Sequence, residues 1–238
     1  MIGIVGMIVI SFLLVFLALA ISITRQKTAI TGIRAHISSG LIFAAFLLLS
    51  VTPFFARSEM LFAIWAFAII AGTACQSAFA DPYLLKQTLA YEKPKWFFMP
   101  VSNTPGWMAI LWGVALMHLG YSFYLINELL SLWQCIALFL IGGAIYFYLI
   151  ELIVGNYTHW WRRRNCRQPL NVANYAIVAE GLTLIIVVCV LLLLFLIADL
   201  HQQLTAPLWA VYEIIFVITG LAIAYVFRLT YKHRKNQA

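Results

Sequence analysis

The stretch LSLWQCIALFLIGGAIYFYLIELIVGNYTHWWRRRNCR, residues 130–167, decides the fold. Its first part, about 130–155, holds a single charged side chain, Glu151. A helix of that length crosses the roughly 30 Å hydrocarbon core with some tilt. The run is apolar on all sides, which excludes the alternating segments of about ten residues found in membrane β-barrels. Trp160 and Trp161 follow, then Arg162, Arg163, Arg164 and Arg167. Tryptophans beside basic residues mark the end of a span at a membrane interface. The alternative reading of the arginines is contact with anionic headgroups or a diphosphate.

Six further runs share this character, at about 2–24, 36–55, 60–80, 104–126, 172–198 and 207–229. Of the 238 residues, 64% are hydrophobic and only 10% charged. Mean hydropathy is +0.97, and soluble domains carry about 25% charged residues. The sequence therefore predicts an all-α, polytopic integral membrane protein: one transmembrane domain over residues 1–238, built as a seven-helix bundle. The first run lacks a positive n-region and is longer than the 7–15 residues of a signal-peptide core, so it reads as a retained first helix. Cys75, Cys135, Cys166 and Cys189 are scattered without a CxxC pair and imply neither a disulfide framework nor a metal knuckle.

The basic residues test the topology. Arg25, Lys27 and Arg34 lie between runs one and two, Lys86, Lys93 and Lys95 between three and four, and the arginine cluster between five and six. With Arg228, Lys232, Arg234 and Lys235 at the C-terminal end, fourteen of the fifteen Lys and Arg fall on one side, and Arg57 alone on the other. By the positive-inside rule the N-terminus is outside and the C-terminus cytoplasmic, with a bacterial inner membrane as the expected location. The net charge of +7 thus reports topology, and nucleic acid is not an expected partner. The longest connection, 81–103, carries Pro94, Pro100 and the aromatic run Trp96-Phe97-Phe98, and is expected to lie along the cytoplasmic interface. No internal repeat is visible, so an inverted-repeat transporter has no support.

Carboxylates at membrane depth are expensive and mark function by default. Glu151, Glu180 and Glu213 qualify and are the candidate catalytic groups. Glu151 lies near the cytoplasmic end of helix five and Glu180 about two turns into helix six, so the two fall at broadly similar depth. Asn156, His159, Asn174 and Tyr175 surround them in sequence as candidate substrate contacts. A neutral carboxylic acid can protonate an alkene, an epoxide or a leaving oxygen. The competing reading is that the pair fastens two helices by hydrogen bonds. Gln76 and Asp81 on the inner part of helix three, and His118 in helix four, are further candidate contacts. His118 and Glu213 both fall in the outer half and form a second polar point. Gly72, Gly142, Gly143, Ala210 and Gly220 are expected to seat helices.

Other chemistries lack their residues. No lysine lies inside a run, which excludes a retinal Schiff base. The five histidines are isolated from one another, leaving no di-iron box, no paired haem ligands and no metal site. No GxSxG, Walker loop or GxGxxG is present, so no cofactor is expected. What is left is a membrane-embedded, cofactor-independent enzyme that uses acid/base chemistry to cyclise or isomerise a lipophilic, isoprenoid-like substrate amid membrane lipids. In size, helix number and the carboxylate in its last helix, the chain is similar to the small seven-helix membrane terpene cyclases and the related lycopene cyclase domains. That similarity is one of plan, because the Asn and Trp-Glu pattern of their early helices is missing. A proton-coupled transporter using the three carboxylates as a relay, and a non-catalytic lipid-binding or accessory protein, are the alternatives.

Overall fold

A computed structural model of the chain describes residues 2–25, 32–80, 89–91, 106–158, 160–163, 174–201 and 208–235. These residues form seven helices in chain order: α1 (Ile2–Ser22), α2 (Gly32–Ala56), α3 (Glu59–Phe67), α4 (Gly106–Asn127), α5 (Leu132–Ile153), α6 (Asn174–His201) and α7 (Leu208–Lys235). Helix α3 continues into the wider π form over Ala68–Ala80, and α5 does so over Val154–Thr158. Five stretches are long and apolar enough to cross a membrane: Gly3–Ser22, Gly32–Ala56, Gly106–Asn127, Leu132–Ile153 and Val178–Ile197. Two shorter apolar helices, Glu59–Cys75 and Ile214–Thr230, complete the set.

The helix limits depart from the sequence reading at two places with identifiable causes. Helix α2 begins at Gly32, whose φ of +62° suits the absence of a Cβ, and so takes in Arg34. The Arg34 guanidinium donates to Ile21 O at 2.6 Å and to Ile23 O at 3.0 Å, satisfying carbonyls left open at the end of α1. Helix α7 runs on to Lys235 because no glycine or proline interrupts Leu229–Lys235, so the C-terminal basic residues lie on the helix. The turn from α2 to α3 is tight. Arg57 takes a left-handed φ of 50°, and the Ser58 hydroxyl accepts the Leu61 amide at 3.4 Å to start α3.

Helix α4 is the most enclosed of the five long spans. Around it stand α1, α2, α3, α6 and α5, while α7 packs on α3 and α6. Lipid tails are as apolar as the side chains, so helices in a membrane associate by close packing and by hydrogen bonds. Glycines provide the close packing. A Cβ at Gly113 would lie 2.4 Å from Thr73 Oγ1, one at Gly120 2.2 Å from Ile64 Cγ2, and one at Gly220 2.6 Å from Cys75 Cβ. A Cβ at Gly72 would lie 3.1 Å from Trp112 O, a looser but still tight approach. Gly72, Gly143 and Gly220 therefore seat helices as expected, whereas Gly142 faces open space.

Serines provide the hydrogen bonds. On α1 the buried positions Ile8, Ser11, Val15, Ala18 and Ser22 recur every three or four residues and face α2 and α4. Ser38 of α2 donates to Ala18 O at 2.9 Å and meets the Ser22 hydroxyl at 2.8 Å. Tyr121 Oη donates to Leu49 O at 3.2 Å, tying α4 to α2.

Three of the basic connections converge at one end of the bundle. The Thr24 amide donates to Tyr157 O at 2.8 Å, joining the segment after α1 to the tail of α5. Leu89–Tyr91 pairs antiparallel with Trp161–Arg163, in the register Leu89 to Arg163 and Tyr91 to Trp161. This short ribbon lies between helices, where the sequence reading placed only loops. The periphery is lined with exposed Leu13, Phe16, Ile141, Leu196 and Ile218, an apolar surface suited to lipid.

Candidate functional site

The inward stripe of α5 is Cys135, Phe139, Gly143, Phe147 and Glu151, spaced by four and all buried. At Gly143 the stripe touches α6, where an added Cβ would lie 2.6 Å from Leu184 Cδ1. That crossing fixes the levels of both carboxylates. Glu180 lies one turn, about 6 Å, from Leu184 toward the basic end, and Glu151 lies about 12 Å from Gly143 in the same direction. Glu151 is 4% exposed and Glu180 is 6% exposed, and neither lacks a partner.

Aromatic rings occupy the same two levels. Trp112 of α4 meets Phe147 at 6.3 Å and Phe227 of α7 edge-on at 6.1 Å, level with Glu180. About one turn nearer the basic end, at about the level of Glu151 by helical rise, Trp107 meets Trp160 edge-on at 5.4 Å, both rings buried. A carboxyl group in a water-poor setting can take part in proton transfer, and aromatic rings can stabilise cationic carbon.

A second polar point lies near the middle of the bundle. His118 of α4 is 1% exposed, and its Nε2 is 2.7 Å from Ser11 Oγ of α1. The Ser11 hydroxyl donates to Ile8 O at 2.7 Å, as helical serines commonly do. Its single proton is thereby committed, so Ser11 Oγ accepts from Nε2–H and Nδ1 carries the lone pair. That Nδ1 is buried without a hydrogen-bond partner among the described residues. Phe12 stacks on the imidazole at 3.7 Å and 8°, and meets Tyr146 of α5 edge-on at 6.4 Å.

Among the described residues α1 and α5 do not pack along their lengths, so α4 is uncovered between them. The gap is a cavity of about 250 Å³. Phe12 flanks it from α1, His118, Ser122 and Ile126 form its floor on α4, and Phe139, Gly142, Gly143 and Tyr146 line it from α5.

Of the residues singled out in the sequence, Glu151, Glu180 and His118 have described side chains. The structure brings Glu151 and Glu180 onto packed helices and sends His118 to Ser11. The side chains of Gln76, Asn156, Asn174, Tyr175 and Glu213 sit on described helices but lie outside what is described, as do Asp81 and His159 altogether. Ser11, Phe12 and Tyr146 were missed by the sequence reading. Ser11 had a signal: it is the only polar side chain in α1 before Ser22.

The model of a family described as a domain of unknown function (DUF6989) matches residues 78–228, more than half of the chain. No curated protein and no solved structure matches.

Proposed function

The chain belongs to the DUF6989 family, and within it we propose, from the buried carboxylates, that it is a membrane-embedded enzyme acting on a lipophilic, isoprenoid-like substrate by acid/base chemistry. The single observation that supports this reading is the burial of two carboxylates on packed helices, at levels along the bundle where helical rise also puts aromatic rings: Trp112 and Phe147 for Glu180, Trp107 for Glu151. In the proposed mechanism one carboxylic acid protonates the substrate's alkene or oxygen, and the rings stabilise the positive charge that develops. The other carboxylate, as base, removes a proton to end a cyclisation or isomerisation. Glu213 is a third acid of the same class in α7. Asn156, His159, Asn174, Tyr175, Gln76 and Asp81 are the proposed substrate contacts.

In this reading the seven helices all span a bacterial inner membrane, with the N-terminus outside and the basic end in the cytoplasm, as the distribution of Lys and Arg requires. Glu151 and Glu180 then sit toward the cytoplasmic leaflet.

The test is untargeted lipid extraction from cells expressing the wild type or Glu180→Gln. The amide keeps the size of the side chain but cannot cycle a proton. An isoprenoid or other lipid product that appears with the wild type and fails with the variant is the expected result. An unchanged lipid profile at equal expression counts against the enzyme.

A further inference from the structure

The cavity between α1 and α5 is not used by the carboxylate chemistry, and its composition specifies a ligand of its own. None of its lining residues is charged, which disfavours an ionised ligand. Its one buried unpartnered polar atom is Nδ1 of His118, an acceptor by the assignment above. A buried acceptor left without a donor costs free energy, and a ligand that supplies the donor recovers it. Ser122 follows His118 by one turn on the same face of α4 and lines the same cavity, which adds a hydroxyl to its otherwise apolar lining. At about 250 Å³ the cavity is smaller than the roughly 300–1,000 Å³ of sites that enclose a whole small molecule. That volume suits one end of a longer molecule as well as a small one, and the cavity opens beside exposed apolar side chains. Leu13 and Phe16 on α1 and Ile141 on α5 are the exposed apolar side chains available to the rest of such a molecule.

We propose that this cavity is a lateral binding site for a long-chain lipophilic alcohol drawn from the bilayer, its hydroxyl donating to His118 Nδ1 and its chain leaving between Phe12 and Tyr146. The site stands whether or not Glu151 and Glu180 act on what it holds.

The experiment uses the full chain in phosphatidylcholine nanodiscs, with a diazirine-bearing long-chain primary alcohol as photoprobe and its methyl ether as the matched control. Labelling by the alcohol is expected on α1 and α5 at the cavity, at least about fivefold above the ether, because the ether leaves Nδ1 unpartnered. Gly142→Leu fills the mouth from a position where an added Cβ meets nothing within 4 Å, and is expected to reduce alcohol labelling to the ether's level with the unfolding midpoint retained. His118→Phe removes the acceptor while keeping a ring against Phe12, and is expected to bring the alcohol-to-ether ratio to about one. Equal labelling by alcohol and ether in the wild type overturns the proposal, as does unchanged labelling in Gly142→Leu. Should the His118 variant fail to fold, those two measurements still decide the matter.

Discussion

Ser11 in α1 and His118 in α4 meet side chain to side chain at 2.7 Å although 107 residues separate them in the chain. The contact, with Phe12 stacked on the same imidazole, ties α1 to α4 at the edge of the cavity.

If that hydrogen bond holds α1 in place, Ser11→Ala destabilises the bundle. The expected loss is about 0.6 kcal/mol and at most about 1.7, the range found for polar ties between membrane helices. A double-mutant cycle with His118→Ala, read by denaturant titration in detergent micelles, isolates the pair. A coupling indistinguishable from zero would remove the role assigned to it.

Two glycines make opposite predictions. A methyl group at Gly120 is forced against Ile64, whereas one at Gly142 meets nothing within 4 Å. Gly120→Ala is expected to cost about 1–3 kcal/mol as an overpacked contact. Gly142→Ala is expected to be neutral, or stabilising by up to about 1 kcal/mol through helix propensity. The difference between the two unfolding midpoints is the measurement, and equal shifts would show that α3 and α4 are not seated at Gly120.

Cys189, in the middle of α6, is free and exposed on the outside of the bundle. A nitroxide attached there before reconstitution is expected to collide more often with dissolved oxygen than with a water-soluble nickel chelate, since oxygen concentrates in hydrocarbon. The reverse ratio would place this face of α6 in water and rule out a span there.

The orientation is tested at the C-terminus. With the basic connections inside, a green fluorescent protein fused after Ala238 is expected to fluoresce in bacterial cells, and an alkaline phosphatase fused at the same place to stay inactive. An active phosphatase would reverse the orientation and move Glu151 and Glu180 to the outer leaflet.

The helices themselves were written in the sequence. In lipid every backbone N–H and C=O must be satisfied within its own segment, so an apolar run such as Leu132–Ile153, with Glu151 its one charged side chain, has helix as its open choice. Arginines and tryptophans at run ends, such as Trp160 and Arg162, placed the connections for the same reason, the cost of burying them in hydrocarbon. Glu151 and Glu180 stood out because carboxylates are rare in such runs. Which face of each helix packs inward was not legible, since core-facing Val15 and outward-facing Phe16 are equally apolar. Only the tertiary structure decided that Gly143 packs on Leu184 while Gly142 faces a cavity, and that the isolated serine of α1 reaches the isolated histidine of α4. Those pairings depend on close approach between surfaces distant in sequence, and hydropathy, the property by which the runs were found, does not vary with that approach.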